Sequence, residues 1–240
     1  MVDILVLAKA PVPGAAKTRL APAFGPVGAA RLAAAALQDT LDAVAAAPAD
    51  RRVLVLAGSL AASPFDLRVP AGFVIVPQVD GDHATRIAAA LAGCRGPAVL
   101  IGMDTPQVDP ALLIEAAGPL RHCGPGAVDA VLGPATDGGW WALGLREPRA
   151  AAVIATVPTS RDDTGERTVH ALRAAGLRVR LLPELTDVDT IADAVAVSRA
   201  APWTRFAAAI AALPPAGESP PSGVRTTEVV RARWHRTGAA

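Results

Sequence analysis

Short apolar runs, often β-branched, alternate along the chain with longer stretches whose apolar positions recur every three or four residues. This is the pattern of an α/β fold in which strands and helices take turns. The strand-like runs are DILVLA (3–8), RVLVLA (52–57), FVIVPQ (73–78), AVLIG (98–102), AVDAVLG (127–133), WWALGL (140–145) and RVRLLP (178–183). Several are apolar at every position, as a strand covered by helices on both faces requires, so these belong at the centre of the sheet. Ala/Leu-rich stretches predict helices over about 27–47, 84–93, 109–121, 164–175, 190–200 and 203–213, the first starting after a Pro/Gly segment at 22–28. The expected architecture is a three-layer α/β/α domain with a mostly parallel central sheet of about seven strands, linked by right-handed crossovers. PPAGESPPSG (214–223) holds little that could be buried, so the domain is expected to span 1–213, with 214–240 a Pro/Gly-rich linker and tail. The final stretch reads as a frayed tail in preference to an element docking through Trp234.

Composition narrows the class. Hydrophobic residues make up 52% of the 240, yet no run of about 18 uncharged residues has membrane character, so alanine-rich helices account for the apolarity. An acidic residue at position 3 and the lack of a small-residue cleavage pattern argue against a signal peptide, leaving the cytoplasm as the expected compartment. Cys94 and Cys123 form no CxxC, and the four histidines have no ligand-like spacing with them, which weighs against a disulfide framework or a zinc site. A net charge of +1, with four phenylalanines, four tryptophans and no tyrosine, argues against a nucleic-acid-binding surface. Assembly into homo-oligomers is left open.

Open parallel sheets bind ligands beyond the carboxyl ends of their strands, and four such ends carry unusual chemistry. The first, AKAPVPGAAKTRL (8–20), holds both lysines of a chain whose other 21 basic residues are arginines. Gly14 permits positive φ or close backbone approach, and Lys17, Thr18 and Arg19 supply two cations and a hydroxyl before a helix, which are the parts of a phosphate site. The loop matches neither GxxxxGK[ST] nor GxGxxG, and a solvated turn is the plain alternative. In GMDTP (102–106), Asp104 follows an apolar strand and projects at the sheet's edge, or forms an Asx-turn before Pro106. In TDVDT (186–190), Asp187 and Asp189 point the same way if the segment is extended. Two such anions about 4 Å apart repel by roughly 4 kcal/mol at an effective dielectric near 20, which a divalent cation or a lysine must offset. Oxygen ligands of this kind suit Mg²⁺ or Mn²⁺; alternatively Asp189 caps the helix after it. The fourth end is GPATDGGWW (133–141). Asp162 and Asp163 read as groups that cap or precharge a helix, while His122 and His170 fall in helical patterns and His83 in a loop.

Together, GAAKTRLAPAF, the helix with LQDTL (37–41), GMDTP, GPATDGGWWALGL and DVDT resemble the rSAM/selenodomain-associated transferases, a GT-A-like family of unknown function related to nucleotide-diphospho-sugar transferases. The opening loop and helix also resemble those of 2-phospholactate guanylyltransferase. The resemblance spans residue 3 to about 200 and implies a Rossmann-like GT-A fold. By it, Gly14, Lys17, Thr18 and Arg19 wrap nucleotide phosphates; Asp104, Asp187 and Asp189 hold a divalent metal; Thr136, Asp137, Gly138 and Gly139 face the acceptor. Where the family shows a Gln-x-Gly-Gly-Asp-Leu-Gly-Glu-Arg-like stretch, this chain has QVDGDHATRI (78–87), keeping Gln78, Gly81, Asp82 and Arg86 for the nucleotide but presenting His83, Ala84 and Thr85. The family's Tyr-Tyr pair is Trp140-Trp141, rings that read as strand packing.

The implied function is a Mg²⁺-dependent (or Mn²⁺-dependent) nucleotide-utilising transferase. The preferred form is a nucleotidyltransferase that joins a nucleoside triphosphate to a small phosphorylated or carboxylate acceptor and releases pyrophosphate. A glycosyltransferase using a nucleotide-sugar is the alternative, and a non-catalytic nucleotide-binding protein a third. The catalytic candidates are Lys17, which neutralises the leaving group, Asp104 with the metal, and Asp137, the base for a hydroxyl acceptor.

Overall fold

The computed structural model describes residues 2–213. The expected linker and tail, with Trp234 and His235, lie outside the described residues. Among those described, seven strands form one sheet in the order β3-β2-β1-β4-β6-β5-β7. They are β1 (Asp3–Lys9), β2 (Arg52–Ala57), β3 (Phe73–Pro77), β4 (Ala98–Gly102), β5 (Ala130–Pro134), β6 (Trp140–Leu145) and β7 (Val179–Leu181). The helices are α1 (Ala21–Ala46), α2 (His83–Ala92), α3 (Pro110–Ala117), α4 (Thr164–Ala174), α5 (Ile191–Ala200) and α6 (Arg205–Ala211).

The sheet is mostly parallel, as expected. Only β6 runs against its neighbours β4 and β5, because the five residues between β5 and β6 are enough for a hairpin and too few for a crossover. The turn of that hairpin therefore falls at the carboxyl end of β5, on the edge where β1 and β4 also finish. Strands apolar at every position serve two cores. Ile4, Val6 and Ile101 pack on one face with Leu37 and Leu41 of α1 and Leu113 of α3. Leu5, Leu7 and Leu100 pack on the other with Ile87 of α2, Leu172 of α4 and Ile154. Ile154 belongs to a 3₁₀ segment, Pro148–Thr156, which has no counterpart among the expected helices. A third cluster joins Leu20 and Leu32 to Val197 of α5 and Phe206 of α6.

The run Thr18–Ala46 is, among the described residues, the one helix long and apolar enough to cross a membrane. It is broken at Gly25 (φ 68°, ψ 165°), just before Pro26, so its long limb starts where the sequence places the first helix. Its Leu32, Leu37, Leu41 and Val44 are fully buried in the core of this domain. The tryptophan pair packs as strand residues do: Trp141 is buried, its indole donates to the Pro183 carbonyl at 3.0 Å, and it occupies space that a side chain at Gly133 would fill.

Candidate active site

β1 ends at Lys9, whose amide donates to Met103 Sδ at 3.3 Å, tying the strand end to the segment after β4. The following loop folds back on itself, with Ala15 and Ala16 amides on the Val12 carbonyl at 3.0 and 3.2 Å and Gly14 at φ 77°. Lys17 is left-handed (φ 48°, ψ 46°) and its carbonyl accepts from Leu20 as the chain enters a 3₁₀ turn, Thr18–Leu20. Among the described residues, the amides of Lys17, Thr18 and Arg19 donate to no protein acceptor.

The Lys17 side chain, only 10% exposed, donates to Asp189 Oδ1 at 2.8 Å and lies 2.9 Å from Asp104 Oδ1. Arg19 Nη1 meets the other Asp189 oxygen at 2.9 Å. Burial alone would lower the Lys17 pKa, but Asp104 and then Asp189 outweigh it and hold the ammonium above its ordinary value. Burial likewise works to raise Asp189, and Lys17 followed by Arg19 overcomes it, keeping that carboxylate below its usual range. The two acids come from distant parts of the chain and are brought together by backbone contacts. The Val188 amide donates to the Asp104 carbonyl at 2.8 Å, and Gln107 Nε2 to the Thr186 carbonyl at 2.6 Å.

Asp137, Asp187 and Asp189 each present a carboxylate oxygen, and these oxygens lie within 4.8 Å of one another. Asp187 is pushed up to about 6, first by burial and then by the negative charge of Asp137 and Asp189. Among the described residues neither Asp137 nor Asp187 has a cation at ion-pair distance. The structure thus groups the Asp187–Asp189 pair with Asp137, from the loop expected to face the acceptor. Asp104 is linked to the group through Lys17. Asp189 does not cap the helix after it: Thr190 does, in a capping box with Asp193.

Asp137 sits in the tight turn between β5 and β6. Its Oδ1 accepts from the Gly139 amide at 2.7 Å, and the Thr136 amide donates to the Leu185 carbonyl at 3.0 Å. Gly138 has φ 86°, and a Cβ there would run into the Asp162 carbonyl, while the Gly165 amide donates to the Gly138 carbonyl at 2.7 Å. Residues 160–165 are thereby locked against the turn, with Ser160 at φ 60°. Lys17 and Ser160 are the two non-glycine residues of positive φ among those described, and both line the same cleft of about 490 Å³. Lys9, Arg19, Asp104, Asp137, Arg161 and Asp189 also line it.

The second nucleotide segment is arranged differently. Gln78 Nε2 donates to the carbonyls of Ala8 and Val55 at 2.8 and 3.1 Å, Asp82 caps α2 through the Thr85 amide, and Arg86 Nε donates to the Gly81 carbonyl at 2.9 Å. None of the four lines the cleft; Arg86 borders a smaller recess of about 210 Å³ beside Cys94. Ser160 and Arg161 do line it and are absent from the expected site. Asp162 and Asp163 were legible only as acids that cap or precharge a helix; Asp163 stands at the N-cap position of α4 but makes no capping bond and pairs with Arg161 and Arg167 instead, and nothing in the sequence marks a left-handed serine.

A family model described as an uncharacterized protein conserved in bacteria (DUF2064) matches residues 40–161. The chain belongs to the DUF2064 family. The matched stretch of this DUF2064 chain holds the Gln78, Asp104 and Asp137 segments, while the 8–20 loop and the Asp187–Asp189 pair lie to either side of it. Among solved structures the chain is similar to a protein of Desulfovibrio desulfuricans G20, provisionally assigned as a nucleotide-diphospho-sugar transferase. Identity is 27%, coverage is 88% of this chain and 95% of that one, and the TM-score is 0.75. Rv0371c from Mycobacterium tuberculosis H37Rv is similar at 25% identity, covering 82% and 97%, with a TM-score of 0.50. A 4-diphosphocytidyl-2C-methyl-D-erythritol synthase from Anaerococcus prevotii, at 10% identity over 82% and 96% with a TM-score of 0.52, shares the fold alone. No curated protein matches the sequence. The expected α/β fold of GT-A type and the resemblance to transferase relatives of unknown function both stand.

Proposed function

We propose that this DUF2064 chain is a divalent-cation-dependent transferase acting on a nucleotide, and that it moves a nucleotidyl group from a nucleoside triphosphate to a small phosphorylated or carboxylate acceptor. The observation that carries the reading is the meeting of two charge systems in one cleft. Unused amides of Lys17, Thr18 and Arg19 sit beside two cations, and within one residue's reach lies an acidic group that those cations only partly neutralise.

Each part has a task. Consecutive unpaired amides and the Arg19 guanidinium suit the oxygens of a polyphosphate. Lys17, held charged by Asp104 and Asp189, sets a fixed positive charge where a departing pyrophosphate gains negative charge, in geometry prepared before the reaction. The hard, oxygen-only donor set of Asp137, Asp187 and Asp189 fits Mg²⁺ or Mn²⁺, and Asp187, raised first by burial and then by the charge of Asp137 and Asp189, is a carboxyl that a cation would hold ionised. When bound, such an ion supplies Lewis-acid neutralisation of phosphate oxygens. Thr136, Gly138 and Gly139 shape the acceptor side. An acceptor oxyanion forms the new bond to the α-phosphorus, the α–β phosphoanhydride bond breaks, and its electron pair leaves with pyrophosphate; no base is needed because the attacker is already ionised. Gln78, Gly81, Asp82 and Arg86 lie toward β2 and β3, on the nucleoside side, where Gln78 serves by fixing the ends of β1 and β2.

Glycosyl transfer is the second reading, favoured by the provisional assignment of the 27%-identical relative. Asp137 is then the base for an acceptor hydroxyl. Incubation with nucleoside triphosphates or nucleotide-sugars, Mg²⁺ or Mn²⁺, and a set of small phospho-acids, carboxylic acids and sugars separates the two. Pyrophosphate release supports nucleotidyl transfer, and nucleoside diphosphate release supports glycosyl transfer. Tight binding with neither product makes the chain a non-catalytic nucleotide binder, and no nucleotide binding at all overturns the reading.

A further inference from the structure

We propose that Arg161 binds an oxyanion of the acceptor and so restricts the reaction to anionic acceptors; the inference rests on the transferase reading above. Four cations line the cleft: Lys9, Lys17, Arg19 and Arg161. Lys9 ends β1, and Lys17 and Arg19 belong to the loop and turn that follow it. Lys17 is paired with Asp104 and Asp189, and Arg19 with Asp189. Arg161 stands apart. It is carried by the 160–165 segment locked onto the Asp137–Gly139 turn, and in the sheet order β4 stands between β1 and the β5–β6 hairpin that carries that turn.

The position of Arg161 is fixed from several directions. Its amide donates to Thr164 Oγ1 at 3.1 Å, and Thr164 Oγ1 donates to the Pro158 carbonyl at 3.2 Å. Gly138 closes on the neighbouring Asp162 carbonyl with no room for a side chain, and Ser160 adopts a conformation rarely taken by residues other than glycine. The side chain is 55% exposed, with Nε 3.2 Å from Asp163 Oδ1. That contact orients the guanidinium through one nitrogen. Among the described residues Nη1 and Nη2 have no partner, which leaves the planar pair that grips a phosphate or carboxylate through two parallel hydrogen bonds. A cation carried by a segment that packs on the Asp137–Gly139 turn, lining the same cleft but not part of the phosphate cradle, meets the second substrate and not the polyphosphate of the first.

The test compares wild type with Arg161→Gln, Arg161→Lys and Arg19→Gln, using inorganic phosphate and acetate as probes in calorimetric titrations. These are run with Mg²⁺, in the presence and absence of the tightest-binding nucleoside triphosphate of the screen above. The expected result is at least a tenfold loss of affinity for one probe in Arg161→Gln, partial recovery in Arg161→Lys, and nucleotide affinity within twofold of wild type. Arg19→Gln shows the converse. The probe that suffers identifies the anion as phosphate or carboxylate. Unchanged affinity for both probes, failure of wild type to bind either, or a nucleotide affinity that falls as far as that of the probes overturns the assignment. If wild type binds a probe through Arg161 but no nucleotide, only the transferase reading fails. Matching far-ultraviolet dichroism and thermal midpoints exclude unfolding as the cause.

Discussion

Lys17 carries two burdens, an unfavourable backbone conformation and a nearly buried ammonium shared by two acids, and each is tolerable because of the other. Replacing it with alanine removes the shared counter-ion and leaves Asp104 and Asp189 facing each other. Loss of one member of a buried pair costs roughly 3–5 kcal/mol, and the low end is expected here because the acids retain 40% and 34% of their exposure. Chemical denaturation of Lys17→Ala checks this, with added Mg²⁺ expected to restore part of the loss. Asp187 makes the opposite prediction. In the cation-free protein its folded pKa of about 6 lies above the ordinary 3.8, so the native state holds the extra proton. The stability from this neutral carboxyl is present below the unfolded value and lost as pH rises through about 6. At about 1.4 kcal/mol per unit, and allowing for the solvent that the carboxyl still meets, Asp187→Asn is expected to gain about 1–2 kcal/mol at pH 7.5 and almost nothing at pH 4. Thermal midpoints at both pH values decide it. Legibility at this scale was uneven. The spacing of Asp187 and Asp189 placed two carboxylates together, and repulsion demanded a cation. Which acid joins them depends on a hairpin turn, and alternation along single strands does not encode how two loops meet.

At the scale of elements, the central strands were legible because burial on both faces leaves apolar residues at every position, and the helices because their Ala/Leu-rich runs are too long for strands, α1 being buried on most of its sides. The 3₁₀ segment Pro148–Thr156 was missed even though its buried residues Pro148, Ala151 and Ile154 recur every third position, the period of a 3₁₀ turn. Two glycines separate conformational strain from collision. Gly25 breaks α1 in open space, with nothing within 4 Å of a Cβ, so Gly25→Ala is expected to cost about 1–3 kcal/mol from its positive-φ, extended-ψ backbone alone, a region essentially restricted to glycine. Gly138→Ala adds a clash with the Asp162 backbone, which cannot move without dislodging Arg161. Its cost is expected to exceed that of Gly25→Ala by about 1–3 kcal/mol. Urea midpoints for the two variants check the order, and a larger effect of Gly25→Ala would contradict it.

For the whole molecule, the order of the sheet matters more than any strand. β1 and β4 lie side by side at its centre, and the one reversed strand turns the β5–β6 hairpin toward them, so loops from residues 10–20, 103–107, 135–139 and 186–189 share one edge. We propose that residues 214–240 lie outside this domain, and a chain ending at Leu213 is expected to keep its thermal midpoint within about 2 °C, checked by calorimetry. A larger drop would show the domain boundary to be misplaced. The ion pairs of Lys17 and Arg19 with Asp189 clasp the first twenty residues of the sequence to a stretch 170 or more residues later. During synthesis on the ribosome, Lys17 meets one counterpart, Asp104, midway, but the opening loop must wait for nearly the whole domain to emerge before Asp189 completes the set. A half-made chain is thus spared a working site until its sheet is finished.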